Sequence, residues 1–316
     1  SFLGGRIRLY PHQLHAAEQA CRRLPVRWLL ADGVGLGKTV EACLIMNHLI
    51  HHGLAERVLV VAPESLTVQW LGELWRKHHQ VFTLLDDDRI ADVERDQGPD
   101  FNPFEVHRRA IVSLERMCDQ QHLVERAVEA GVDLVVVDEA HHLQRPVGHP
   151  GNRAYRALAP LASLGGHLLL LTATPMEDDA LGFLRLVQLL RPDELPESED
   201  LLERLESRRP LPACTSAARA EDIEGWPPRH GRPVDLEVEA WAPVLRLEEA
   251  LRSRPAPHEV ARAETARLLN RALSSAAALE GGLRRPDPAL APLIAEAADA
   301  DPRLDWLVDA ARRWHG

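Results

Sequence analysis

Two short stretches hold residues able to act together on a phosphorylated ligand. The first, ADGVGLGKT at residues 31–39, follows the apolar run Val26, Trp28, Leu29, Leu30 and precedes a helix-forming segment from Val40 to His51. Gly33, Gly35 and Gly37 let consecutive backbone N–H groups turn inward around an anion, and the following helix points its positive end at the same place. Lys38 would reach the β- and γ-phosphates of a nucleotide and Thr39 would hold Mg²⁺. The pattern GxxxxGK[ST] asks for glycine where Asp32 stands, so it misses by one residue. The second stretch, Asp138-Glu139-Ala140-His141, directly follows VDLVVV at residues 132–137. Adjacent carboxylates at the tip of a buried strand suit metal-assisted phosphoryl transfer, with Asp138 on Mg²⁺ and Glu139 polarising the attacking water.

Alternating elements are needed to bring these stretches together. Apolar runs at 57–62, 81–85, 110–114, 132–137 and 167–171 read as strands covered on both faces, with helical patterns between them. Helices are expected at 65–77, 123–130, 152–164 and 179–190, and Pro11 opens another at the start. The expected fold class is α/β: a P-loop domain with a parallel sheet flanked by helices, with ligands at the strands' carboxyl ends. After Pro192 the composition turns to proline, arginine, glutamate and alanine. Residues 1–195 are therefore assigned to the ATPase lobe and 196–316 to a mostly helical extension, with Val234, Leu236 and Val238 alternating like an edge strand.

Other clusters read as ordinary surface. Asp86, Asp87 and Asp88 form an acidic run taken as a solvated loop. The pairs His51-His52, His78-His79 and His141-His142 are neighbours in sequence, and such neighbours do not converge on one metal. His141 is better placed to bridge the carboxylates to Thr172 and Thr174 at the end of the next strand. A net charge of −11 gives no global field for nucleic acid, so contacts of that kind would rest on local groups. Four widely spaced cysteines, no leader and no apolar stretch near the ~18 residues of a membrane span suggest a soluble, cytoplasmic protein.

Taken in order, LYPHQ, ADGVGLGKT, VLVVAPESLTVQW, IVSLE, VVVDEAHHL and LLLTATP resemble the motifs of the Swi/Snf-type ATPases of helicase superfamily two, most closely their bacterial RNA polymerase-associated branch. The resemblance is dense over residues 7–195 and patchy beyond, where GWPPR and DPRLDWLVDAARR echo the segment between lobes. It implies ATP and Mg as cofactors, Gln13 on the adenine, and Gly35, Gly37, Lys38 and Thr39 around the phosphates. It further implies Asp138 and Glu139 on metal and water, with His141, Thr172 and Thr174 as coupling residues. Pro63, Ser65, Gln69, Trp70 and Ser113 match motifs that lie along the nucleic-acid track. The implied partners are double-stranded DNA, RNA polymerase complexes and a second RecA-like lobe beginning near Gly316, without which the isolated lobe would be poorly active. The family generally carries Glu where Gly33 stands. A strand-separating DEAH-type helicase and a non-motor, ATP-gated adaptor in a repair or phage-defence complex are the competing readings.

Overall fold

Strand β1 (Arg27–Leu30) lies one place in from the edge of a seven-stranded sheet, between strands that come from much later in the chain. The computed structural model describes residues 9–146, 149–173, 179–223, 241–255, 259–283 and 287–314. The chain divides into two compact units, Ser1–Pro228 and Arg229–Gly316.

In the first unit, helix α1 (Pro11–Ala20) precedes β1, and α2 (Lys38–His51) leads to β2 (Val58–Ala62). Next come α3 (Glu64–His78), β3 (Thr83–Leu84), α4 (Asp87–Gln97), α5 (Pro103–Val106) and β4 (Arg109–Ser113). Helices α6 (Leu114–Asp119) and α7 (Gln121–Ala130) then lead into β5 (Leu134–Val137). A 3-10 turn (Ala140–His142), α8 (Arg153–Ala162), β6 (His167–Leu171), α9 (Ala180–Leu190), α10 (Leu201–Glu206) and β7 (Thr215–Ser216) complete it.

The strands run in the order β3-β4-β2-β5-β6-β1-β7, and every pairing is parallel. Parallel neighbours need crossovers, and the crossover helices cover both faces. That explains why β1, β2 and β5 are buried at every position, with no alternation of apolar and polar residues. Leu29, Leu59, Ile45, Leu49 and Leu171 have no exposed surface, so cutting any of them to Ala should cost about 2–5 kcal/mol. Register places Leu30 beside Leu171, Val137 beside Leu170, and Val61 beside Val137. The loops after β1, β2, β5 and β6 therefore leave from one edge of the sheet.

Two expectations are corrected. The acidic run is exposed as expected, but it starts a helix instead of forming a loop: the Asp86 carboxylate caps α4 by accepting from Arg89 N (2.9 Å), and Asp87 and Asp88 occupy the first turn, where negative charge suits the helix dipole. Asp87 also pairs with Arg116. The first unit does not end at residue 195, because β7 adds a strand beside β1, with Leu29 N donating to Cys214 O and Ala31 N to Ser216 O (both 2.8 Å). Residues 196–223 are thus part of the sheet domain, although the sequence assigned them to a helical extension. The proposed edge strand at Val234, Leu236 and Val238 lies outside the described residues.

The second unit is helical among its described residues: α11 (Ala242–Arg252), α12 (Glu259–Ser274), α13 (Ala276–Glu280), α14 (Ala291–Asp299) and α15 (Pro302–Trp314). Val244, Leu247, Leu251, Leu268, Leu279 and Ile294 form its own small core. All four cysteines are free, and no helix among the described residues is long and apolar enough to cross a membrane.

Candidate functional site

The phosphate-type loop leaves β1 at Ala31 and becomes α2 at Lys38. Gly35 (φ +83°) and Gly37 (φ +98°) occupy the left-handed region, which side chains disfavour. At Gly37 a Cβ would also collide with the Gln13 amide nitrogen. Gly37 is the N-cap of α2 and offers no capping side chain, so the amides of the first turn remain open to an anion. Lys38 folds back over this loop, its Nζ donating to Asp32 O (2.8 Å) and Gly33 O (3.4 Å). Burial holds its ammonium below the ordinary lysine value, while Glu139, Asp32, Asp138 and Glu41, in that order, pull it back. One cation thus feels both carboxylates of the second stretch. Thr39 is half-buried beside it.

The loop is braced from beneath by residues that the motif pattern does not name. Gln13 is 3% exposed and donates to Leu36 O (2.9 Å), while its Oε1 accepts from Tyr10 N (3.2 Å). His12 Nε2 lies 3.0 Å from the same Leu36 O. Asp32 Oδ1 accepts from Ala218 N (2.9 Å) and Gly33 N donates to Ala218 O (2.9 Å), so the segment leaving β7 is bonded to the start of the loop. Glu41 is wholly buried next to Asp32. Burial first, and then the Asp32 charge, push its carboxyl up to about 10, so Glu41 is neutral at neutral pH. His12, Asp32 and Glu41 offer ligand atoms within 4.8 Å of one another, but a neutral Glu41 is a poor metal ligand. Their one sequence signal is an acidic residue inside the apolar helix EACLIMNHLI. Nothing steric demands glycine at position 33, where a Cβ would meet Leu36 Cδ1 at 3.5 Å and Ala218 O at 3.7 Å.

Asp138 and Glu139 leave β5 on the same edge. Asp138 N donates to Val61 O (2.8 Å), and the carboxylate accepts from Glu139 N (2.9 Å) at Oδ1 and from the Trp70 indole (2.8 Å) at Oδ2. Glu139 sits at φ +50°, ψ +48°, a conformation worth a cost of order 1–3 kcal/mol in a residue with a side chain. Its carboxylate meets His141 Nδ1 at 3.1 Å. Thr172, 1% exposed, ties β6 to β1 through its amide to Leu30 O (3.0 Å) and lines one small cavity with His141, Asp179 and Phe183. Thr174 lies outside the described residues.

The residues expected along a nucleic-acid track separate into two groups. Pro63 is the N-cap of α3, and Ser65 and Gln69 are exposed one turn apart on that helix. Ser113 is 8% exposed and accepts from Arg116 N (3.2 Å) as the cap of α6. Trp70 is corrected: at 2% exposure, with its indole on Asp138, it lies behind the carboxylate and presents no surface.

Comparison with known proteins adds the following. A family model described as the SNF2-related domain matches residues 16–220. The RNA polymerase-associated protein RapA of Klebsiella pneumoniae (strain 342) is 40% identical over 208 residues, which are 66% of this chain and 21% of that protein. The chain therefore spans about a fifth of that relative's length. Among solved structures, the Sulfolobus solfataricus SWI2/SNF2 ATPase core in complex with dsDNA superposes with a TM-score of 0.54 at 16% identity, covering 99% of this chain and 66% of that one. The same organism's SWI2/SNF2 ATPase core domain gives 0.55 at 18% identity, covering 95% and 65%. At these identities the likeness speaks to the RecA-like fold.

Proposed function

The chain belongs to the SNF2-related domain family, and from that premise we propose that it is the ATP-binding lobe of an ATP-driven motor that tracks along double-stranded DNA. The observation that carries this reading is that the loop holding Lys38 and the loop holding Asp138 and Glu139 leave the same edge of one parallel sheet. The residues fit Mg²⁺-ATP: an anion cradle of open amides at Gly37 and the first turn of α2, one cation, a hydroxyl at Thr39 and two carboxylates. Held by Thr39 and Asp138, Mg²⁺ would supply positive charge that offsets the negative charge of the phosphates.

On this reading Lys38 and the α2 amides hold the phosphates, Thr39 and Asp138 hold the metal, and Glu139 orients the water. Gln13 contacts adenine while bracing the loop. His141, held by Glu139, passes the state of the nucleotide to Thr172 and Thr174. Pro63, Ser65 and Gln69 meet DNA phosphates, so binding is indifferent to sequence and sensitive to salt. A second RecA-like lobe supplies the opposing face of the nucleotide and the rest of the groove, and RNA polymerase complexes are the setting suggested by the printed name of the 40%-identical relative.

The test is ATP turnover with and without linear duplex DNA, on this chain alone and on a longer piece of the same protein carrying a second lobe. The chain alone should bind ATP and turn over little, and the longer piece should be stimulated by DNA. Strong DNA-stimulated turnover by the chain alone would overturn the half-site reading. No ATP binding by either would overturn the motor, leaving an adaptor as the better description.

A further inference from the structure

Asp138 is fixed more completely than a half-exposed loop carboxylate needs to be. Its backbone amide is bonded to Val61 O at the end of β2, and its Oδ2 to the Trp70 indole in α3, the helix that follows β2. An indole N–H is a donor only, so this contact depends on the acceptor carboxylate of Asp138. An ionised carboxylate has about four acceptor positions. Trp70 and the Glu139 amide use one on each oxygen, leaving the others for a cation and its waters.

Helix α3 carries Trp70 on its buried side and Gln69 and Ser65, one and five residues earlier, on its exposed side. The helix is 15 residues long and packs against β2, β3 and β4, so a displacement of its exposed face has to carry the indole with it. The indole in turn sets the orientation of the carboxylate.

We propose that Trp70 is a positioning residue that orients Asp138 for the metal and links the exposed face of α3 to that carboxylate. This rests on the reading of Asp138 as a Mg²⁺ ligand. Partners of a metal ligand typically change metal affinity or activity by about ten- to a hundredfold when removed. Trp70→Phe keeps an aromatic ring in the buried position and deletes the donor.

The experiment follows the Trp70 indole N–H by NMR in the ¹⁵N-labelled chain and titrates Mg²⁺ against a non-hydrolysable ATP analogue. The indole signal, assigned through its ring protons, should move with analogue plus Mg²⁺ and stay in place with analogue plus chelator. Linear duplex DNA should move it again. In Trp70→Phe, the Mg²⁺ concentration for half-maximal tightening of analogue binding should rise about ten- to a hundredfold, with Mg²⁺-free binding unchanged. An indole signal unmoved while the analogue binds, or an unchanged Mg²⁺ midpoint in a folded Trp70→Phe, overturns the positioning role. An indole unmoved while DNA shifts the α3 backbone signals overturns the link to the exposed face. If Trp70→Phe does not fold, the wild-type indole signal decides by itself. Failure of the wild-type chain to bind any analogue is a separate result: the nucleotide reading falls, and this inference falls with it.

Discussion

The phosphate loop and the carboxylate loop leave the same edge of the sheet, but they are held very differently. Gln13 and His12 bond to the phosphate loop, its own Asp32 and Gly33 bond to the segment leaving β7, and its turns are fixed by glycines at positive φ. Asp138 has one long-range side-chain bond among those described, from Trp70, and the half-exposed Glu139 carries unfavourable backbone geometry, its carboxylate meeting the nearby His141. A cradle braced on several sides binds without reorganising. The carboxylates rest on one distant side chain, the Trp70 indole, and on a strained backbone at Glu139, so a change at either reaches them directly. The comparison teaches that binding is built into the first region, while turnover depends on whatever reaches the second.

The sharpest attempt to separate them is Glu139→Gln. Losing a general base should cut ATP turnover by about 10²–10⁴-fold while nucleotide affinity stays within a fewfold. Parallel measurements of turnover and equilibrium binding would break the comparison if both fell together. Lys38→Ala addresses the other region: losing a charge-assisted contact of about 1.5–3 kcal/mol should weaken ATP roughly ten- to a hundredfold, with little change in Tm. Calorimetric titration gives the affinity directly. Gly37→Ala should be milder in energy but structural in kind. A left-handed backbone costs about 1–2 kcal/mol with a side chain, and the added Cβ presses on Gln13, so thermal unfolding should shift down together with ATP affinity.

The smallest effect near neutral pH belongs to His78, away from both loops at the end of α3. Burial lowers its pKa from 6.5 to about 4, and both ring nitrogens lack partners. A depressed folded pKa means stability that is present above the unfolded value of about 6.5 and lost as pH falls through about 4. His78→Leu should therefore flatten the fall in Tm between those values relative to wild type, while leaving Mg²⁺-ATP binding at pH 7 unaltered.

Much of this architecture was legible from local pattern. The apolar runs at 58–62, 134–137 and 167–171 are strands within a residue or two of where they were read, and α2 begins one glycine after the cradle, at Lys38. The acidic run at 86–88 is solvated as read, but its place as a helix start was not legible, because a capping aspartate and a loop aspartate are the same residue until the helix forms behind it. Arg27, inside the first apolar run, gave no sign that its guanidinium would be buried, donating to the carbonyls of Ala162, Gly166, Leu189 and Leu190 where α8 and α9 end.

By itself the sequence determined the cradle and the paired carboxylates, because glycine's access to positive φ, the anion affinity of a helix N-terminus and the burial of continuous apolar strands are properties of short segments. Tertiary structure alone decided that Asp32 would hold Ala218, 186 residues away, and that Trp70 would face Asp138 instead of solvent. Which strands become neighbours, and which side of an amphipathic helix meets the sheet, are set by the packing of the whole domain. A hydrogen bond between distant side chains exists only once that packing has brought its donor and acceptor to within about 3 Å.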